Sequence, residues 1–172
     1  MNLLITSHQP ENLISIPIQF LFWGFVAAYI LHILEESVLG EVFVDKVKNN
    51  FWPDYSWKKF FGFNTILLSL NIAAILLYEN LGGAWLIFPL SLACERFLNG
   101  LWHFFETIIT KKFSSGLLSG VLFWILGYHI IRYSIIKGEI AVSYYLISVI
   151  LGCILTALMF GLMILMGKRK TE

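Results

Sequence analysis

Apolar residues fill this chain in long unbroken runs, not in the alternating or turn-spaced stripes of a half-buried surface. Five runs stand out, at about 14–38, 61–79, 83–108, 116–136 and 140–166. Each supplies the ~20 apolar residues that a helix needs to cross a hydrocarbon layer of ~30 Å. Helices satisfy their own backbone polar groups, so they are the open-ended structure that lipid tolerates. The pattern predicts an all-α fold, a polytopic transmembrane helix bundle of about five spans, forming a single domain over residues 1–172.

The stretch 41–60, "EVFVDKVKNNFWPDYSWKKF", breaks the pattern. It interleaves Phe43, Phe51, Trp52, Tyr55 and Trp57 with Lys46, Lys48, Lys58 and Lys59. Aromatic and basic residues together favour the headgroup layer, so this segment reads as an interfacial helix-turn broken at Pro53, or as an aromatic-belt loop. Composition sharpens the class. The chain is 58% hydrophobic and 13% charged, with a mean hydropathy of +0.77, about half the charge of a soluble domain. Residues 1–12 contain no Lys or Arg and the run that follows is too long for a signal peptide, so the first span is expected to be retained.

Charge then sets a direction. Lys46, Lys48, Lys58, Lys59, Lys111, Lys112, Lys168, Arg169 and Lys170 fall on one side of a five-span chain, and Lys137 falls on the other. The positive-inside rule places the N-terminus outside and the C-terminus in the cytoplasm, with a bacterial plasma membrane as the expected location. The net charge of +1 and the lack of a basic stripe exclude a nucleic-acid partner. Cys94 and Cys153 lie in apolar runs without metal-finger spacing and read as small packing residues.

Against this background the ionisable residues inside the runs carry the chemistry. His32, Glu35 and Glu36 close the first run, within an arc of about 100° on a helix. Glu95, Asn99, His103 and Glu106 follow spacings of four, four and three in the third run, within about 80°. Lipid-facing placement of such a stripe is costly, so both groups point into the bundle. His32 with Glu35 and His103 with Glu106 repeat one i, i+3 pattern on helices that run the same way, so the pairs can face each other. Two imidazoles and several carboxylates suit zinc or iron, and paired turns from facing helices build such sites in bundles. The bland alternative is a set of carboxylates solvated at span ends, snorkelling toward water.

The fourth run adds Tyr128, His129 and Arg132. Arg132 is the expected partner of Glu95, and His129 a hydrogen-bonded core residue or a third imidazole ligand. In "FSSGLLSG", residues 113–120, Ser114 or Ser115 is expected to cap a helix, and Gly116 and Gly120 to allow close helix approach. In the fifth run Gly152, Thr156 and Gly161 are expected at a helix contact.

The His-x-x-Glu-Glu of His32, Glu35 and Glu36, with the later "NGLWH" (Asn99, His103) and the glycine of "FSSGLLS", resembles the HXXEE-domain family of membrane proteins. The resemblance runs from the first to the fourth span. Around Gly116 the family tends toward an aromatic, a Pro-Gly and a hydroxyl residue. Here Phe113 and Ser119 match, but Ser115 replaces the proline. The resemblance implies an enzymatic activity without naming a reaction.

The sequence therefore supports a metal-dependent membrane enzyme acting on a lipid-like or amphiphilic substrate, with hydrolysis favoured over di-iron oxidation. His32, Glu35, His103 and Glu106 are the expected ligands of a zinc or iron ion. Glu36 is the expected general base or bridging ligand, and Asn99 a hydrogen-bonding group for substrate or ligands. The alternatives are proton or cation transport through the same residues, and a non-catalytic assembly subunit glued by its polar stripe. Membrane lipids are the expected partners in each case.

Overall fold

A computed structural model describes residues 17–39, 43–137 and 140–168. The expectations about residues 1–12, Arg169 and Lys170 lie outside the described residues. Six α-helices, one 3-10 turn and no strand occur among the described residues. They are α1 (Ile18–Val38), α2 (Phe43–Asn50), α3 (Trp57–Leu81), a 3-10 turn (Gly83–Leu86), α4 (Ile87–Thr110), α5 (Leu117–Lys137) and α6 (Val142–Lys168). The five long helices coincide with the five apolar runs. α1, α3 and α6 are long and apolar enough to cross a membrane, and α5 is apolar over Leu117–Tyr133. α4 is 24 residues long but carries the polar stripe.

Local chemistry explains most ends. α3 starts at Trp57, ahead of its apolar run, because the Ser56 hydroxyl accepts the Lys59 N–H across its first turn. It stops at Gly82, whose φ of 62° suits glycine. α4 ends at Lys111 in a left-handed conformation, and α5 follows Gly116 at φ 108°.

α4 is the central helix, packed against α5, α6 and α3, while α1 packs against α5 and α3. Small residues let α4 approach closely on two sides. A Cβ on Gly100 would sit 3.0 Å from the Gly120 Cα of α5, and one on Gly152 of α6 would sit 2.8 Å from the Ser91 carbonyl of α4. The expected contact at Gly152 is present, but Gly161 faces open space and is not part of it. Apolar packing fills one end of the bundle around Phe22, Phe25, Tyr29 and Phe123, with the Phe25 and Phe123 rings stacked at 5.8 Å. α6 turns most of its Ile, Leu and Val side chains outward, a surface that suits lipid rather than water.

α2 is the short amphipathic piece in the 41–60 segment. Its Val44, Val47 and Lys46 are buried and its Asp45, Lys48, Asn49 and Asn50 are exposed. The valines pack with Trp52, Tyr55 and Phe60 into a second apolar cluster, which seals the end of the bundle where the lysines collect. Burial, with the Glu36 charge adding to it, pushes the Tyr55 phenol upward, so it remains a hydrogen-bond donor at neutral pH.

Candidate metal centre

Three side chains converge where α1, α4 and the start of α5 meet. His32 and Glu36 stand one turn apart on α1, and His103 faces them from α4. They are 1%, 4% and 0% exposed. Glu36 Oε1 lies 3.4 Å from His32 Nε2 and 3.4 Å from His103 Nε2. Two ligands at tetrahedral angles on an ion with bonds of about 2.1 Å stand about 3.4 Å apart. The three groups can therefore hold a metal ion.

The far side of each ring determines what the near side offers. His32 Nδ1 is 2.8 Å from the Ser119 hydroxyl, and that hydroxyl donates to Glu35 Oε2 at 2.5 Å. His103 Nδ1 is 2.8 Å from the Ser114 hydroxyl, which donates to Glu106 Oε2. A serine has one proton, and a carboxylate is the stronger acceptor. Each serine oxygen must then accept from the ring, which places the proton on Nδ1 and leaves the Nε2 lone pair facing the centre. The buried His103 Nε2 has no hydrogen-bond partner among the described residues, which suits a ligand atom.

Backbone geometry supports the same centre. A Cβ on Gly116 would fall 2.6 Å from His103 Nε2 and 2.8 Å from His32 Cε1, so the turn before α5 lies directly over the two rings. Glu35 accepts the Leu118 and Ser119 N–H groups at 2.9 and 2.8 Å. A carboxylate at a helix N-terminus satisfies otherwise unpaired donors and complements the dipole. Glu35, reaching across from α1, thus caps the start of α5, while Ser114 serves Glu106 and His103.

The structure sorts the sequence-predicted residues unevenly. His32 and His103 meet, but Glu36 rather than Glu35 or Glu106 stands between them. Glu35 and Glu106 act on the rings through hydroxyls instead. Glu106 also pairs with Lys46 of α2 at 2.5 Å. Glu95 does not pair with Arg132. Arg96 curls back along the helix and donates from Nε and one terminal nitrogen to both Glu95 oxygens at 2.5 Å, with its guanidinium 4.3 Å from the Tyr29 ring. A long, forked side chain overcomes the 100° between neighbours that a helical wheel suggests. His129 and Arg132 lie on α5, partly buried, outside the cluster. Ser114, Ser119 and Lys46 are the members that sequence reasoning missed as site residues. The signals for the serines were their position around Gly116 and the match of Ser119 to the hydroxyl of the family pattern.

Beside the centre, a cavity of about 300 Å³ is lined by His32, Glu36, Arg96 and Asn99 on its inner wall. The Asn99 side-chain oxygen is buried and has no hydrogen-bond partner among the described residues.

Fold and site together define a helical protein built around a buried two-histidine, one-carboxylate cluster. The chain belongs to the family of proteins of unknown function with an HXXEE motif, whose profile matches residues 23–131. That range contains every residue of the cluster and its serine and carboxylate supports. No curated protein and no solved structure matches the chain significantly.

Proposed function

We propose that the protein is an integral membrane enzyme that holds one divalent ion between His32, Glu36 and His103 and hydrolyses an amphiphilic substrate. The observation that carries this reading is the pair of Nε2 atoms directed at Glu36 Oε1, each fixed from behind by a Glu–Ser–His chain. An ion held by three protein ligands keeps an open position and acts there as a Lewis acid, with zinc the ion that suits hydrolysis. Glu36 also lines the cavity, and its second oxygen is the base we assign for the attacking group. Asn99 offers substrate a hydrogen bond from the same wall.

A dinuclear centre is disfavoured by the other carboxylates. Glu35 is committed to two backbone N–H groups and Ser119, and Glu106 to Ser114 and Lys46. A single iron ion on the same three ligands would instead support oxidation, because non-haem iron oxygenases use two histidines and one carboxylate. In the membrane we place all five long helices as spans, with the lysine-rich end cytoplasmic.

The test is elemental analysis of protein purified in mild detergent at neutral pH without chelator. Wild type should carry one equivalent of metal, and His32→Ala and His103→Ala should carry none. Zinc supports hydrolysis and iron supports oxidation. A wild type without stoichiometric metal refutes the centre. A fluorescent protein fused after the last residue reports the C-terminal side, and should fluoresce only if that side is cytoplasmic.

A further inference from the structure

From the cavity beside the centre, and resting on the enzymatic reading above, we infer that the substrate is a single-chain amphiphile whose hydroxyl or amide head sits against Asn99 and whose chain leaves between α3 and α6. The walls differ in chemistry. The inner wall, from α1 and α4, holds His32, Glu36, Arg96 and Asn99; the other polar lining groups are Tyr55 and Asn64, whose amide is already bonded to the Tyr29 hydroxyl and the Phe60 carbonyl. The outer wall is Phe63, Ile66 and Leu67 of α3 with Met159, Leu162 and Met163 of α6. α3 and α6 make at most a marginal contact with each other, and Ile66 and Leu162 at this rim are 60% and 52% exposed. The opening therefore faces the side of the bundle, where lipid lies, and not its ends.

The unpartnered amide specifies the head. The Arg96 guanidinium on the inner wall is paired with Glu95. The unmet demand on that wall is the Asn99 side-chain oxygen, which is buried and has no hydrogen-bond partner among the described residues. A hydroxyl both donates and accepts, so it satisfies that amide in either orientation. Size specifies the tail. About 300 Å³ is at the lower limit of ligand pockets, room for one chain segment rather than two. Chain burial adds little selectivity here, because lipid is as apolar as the cavity. Discrimination falls to the head and to the width of the opening.

The experiment is photolabelling of the full chain in nanodiscs with two probes, each carrying a diazirine near the chain end. One is a monoacylglycerol and the other a phosphatidylcholine. The monoacylglycerol should label Phe63, Met159, Leu162 and Met163, whereas the phosphatidylcholine should label outward positions such as Ile154 and Leu158. Met163→Trp, which fills the cavity, should reduce the monoacylglycerol labelling at least ten-fold while metal content stays at the wild-type level. Asn99→Leu should reduce it about ten-fold, the size of one lost hydrogen bond. Equal labelling patterns for the two probes, or monoacylglycerol labelling unchanged in both Met163→Trp and Leu67→Trp, overturns the inference. Metal content separates the two readings. Metal-free wild type with intact cavity labelling removes the centre alone, and metal-loaded protein with scattered labelling removes the cavity assignment alone.

Discussion

Ser119→Ala tests whether the hydroxyl behind His32 sets the metal affinity. The substitution removes one oxygen that links Glu35 Oε2 at 2.5 Å to His32 Nδ1 at 2.8 Å. It leaves the backbone bonds from Leu118 and Ser119 to Glu35, so the start of α5 stays anchored to α1. The loss falls chiefly on the ring, because Glu35 keeps both N–H groups and the bond to the Gly116 carbonyl is a long one at 3.1 Å. A buried N–H left without an acceptor costs ~1–3 kcal/mol, and the ring is free to rotate or to exchange its tautomer. Removing such a support behind a ligand lowers metal affinity by ~10–100-fold, equivalent to ~1.4–2.8 kcal/mol. The two estimates agree. The assay is zinc competition against a chromophoric chelator in detergent, with Ser91→Ala as control. Ser91 is also buried but donates to the Ile87 carbonyl of its own helix. Wild-type affinity in Ser119→Ala, or an equal loss in the control, refutes the role assigned to the serine.

Other substitutions probe other parts of the same construction. Gly116→Ala puts a Cβ 2.6 Å from His103 Nε2 at a φ of 108°. Strain of ~1–3 kcal/mol should lower the melting temperature, and displaced rings should cut zinc affinity more than ten-fold in the same competition assay. Glu95→Gln leaves the Arg96 charge buried and uncompensated. Thermal unfolding followed by size-exclusion should show a loss of ~3–5 kcal/mol, whereas Arg132→Ala should change little. Lys46→Met keeps the apolar stem but removes the ion pair to Glu106. Hydrogen exchange should rise across residues 43–50, reporting ~1.5–3 kcal/mol, with metal content retained because Ser114 still holds Glu106.

The helices were legible because long apolar runs leave a sequence little choice. Runs of apolar residues gave α1, α4, α5 and α6 nearly to their ends, and the lysine-rich break located α2 and the turn at Pro53. The approach of His32 to His103 was also legible, as two polar faces on parallel helices. Which carboxylate joins them was not. Glu35 and Glu36 are neighbours, and a helical wheel cannot choose between them until a third helix is placed. The α5 N-terminus draws Glu35 to its N–H groups, and Glu36 is left facing the rings. Ser119 lies 87 residues from His32, so no local pattern could connect them. The Glu95–Arg96 pair is misjudged for the opposite reason: the two are adjacent, and a wheel that favours Arg132 ignores what a flexible side chain permits.

The bond from Glu35 to the start of α5 also orders events during synthesis. Two of the three proposed ligand residues leave the ribosome early, in α1, yet their surroundings cannot be completed until Ser119 has emerged. Until then α1 carries two carboxylates and an imidazole lacking their final companions. Such a half-made chain is a natural target for quality control, and ribosome release before residue 119 should yield a product that is degraded rather than stored.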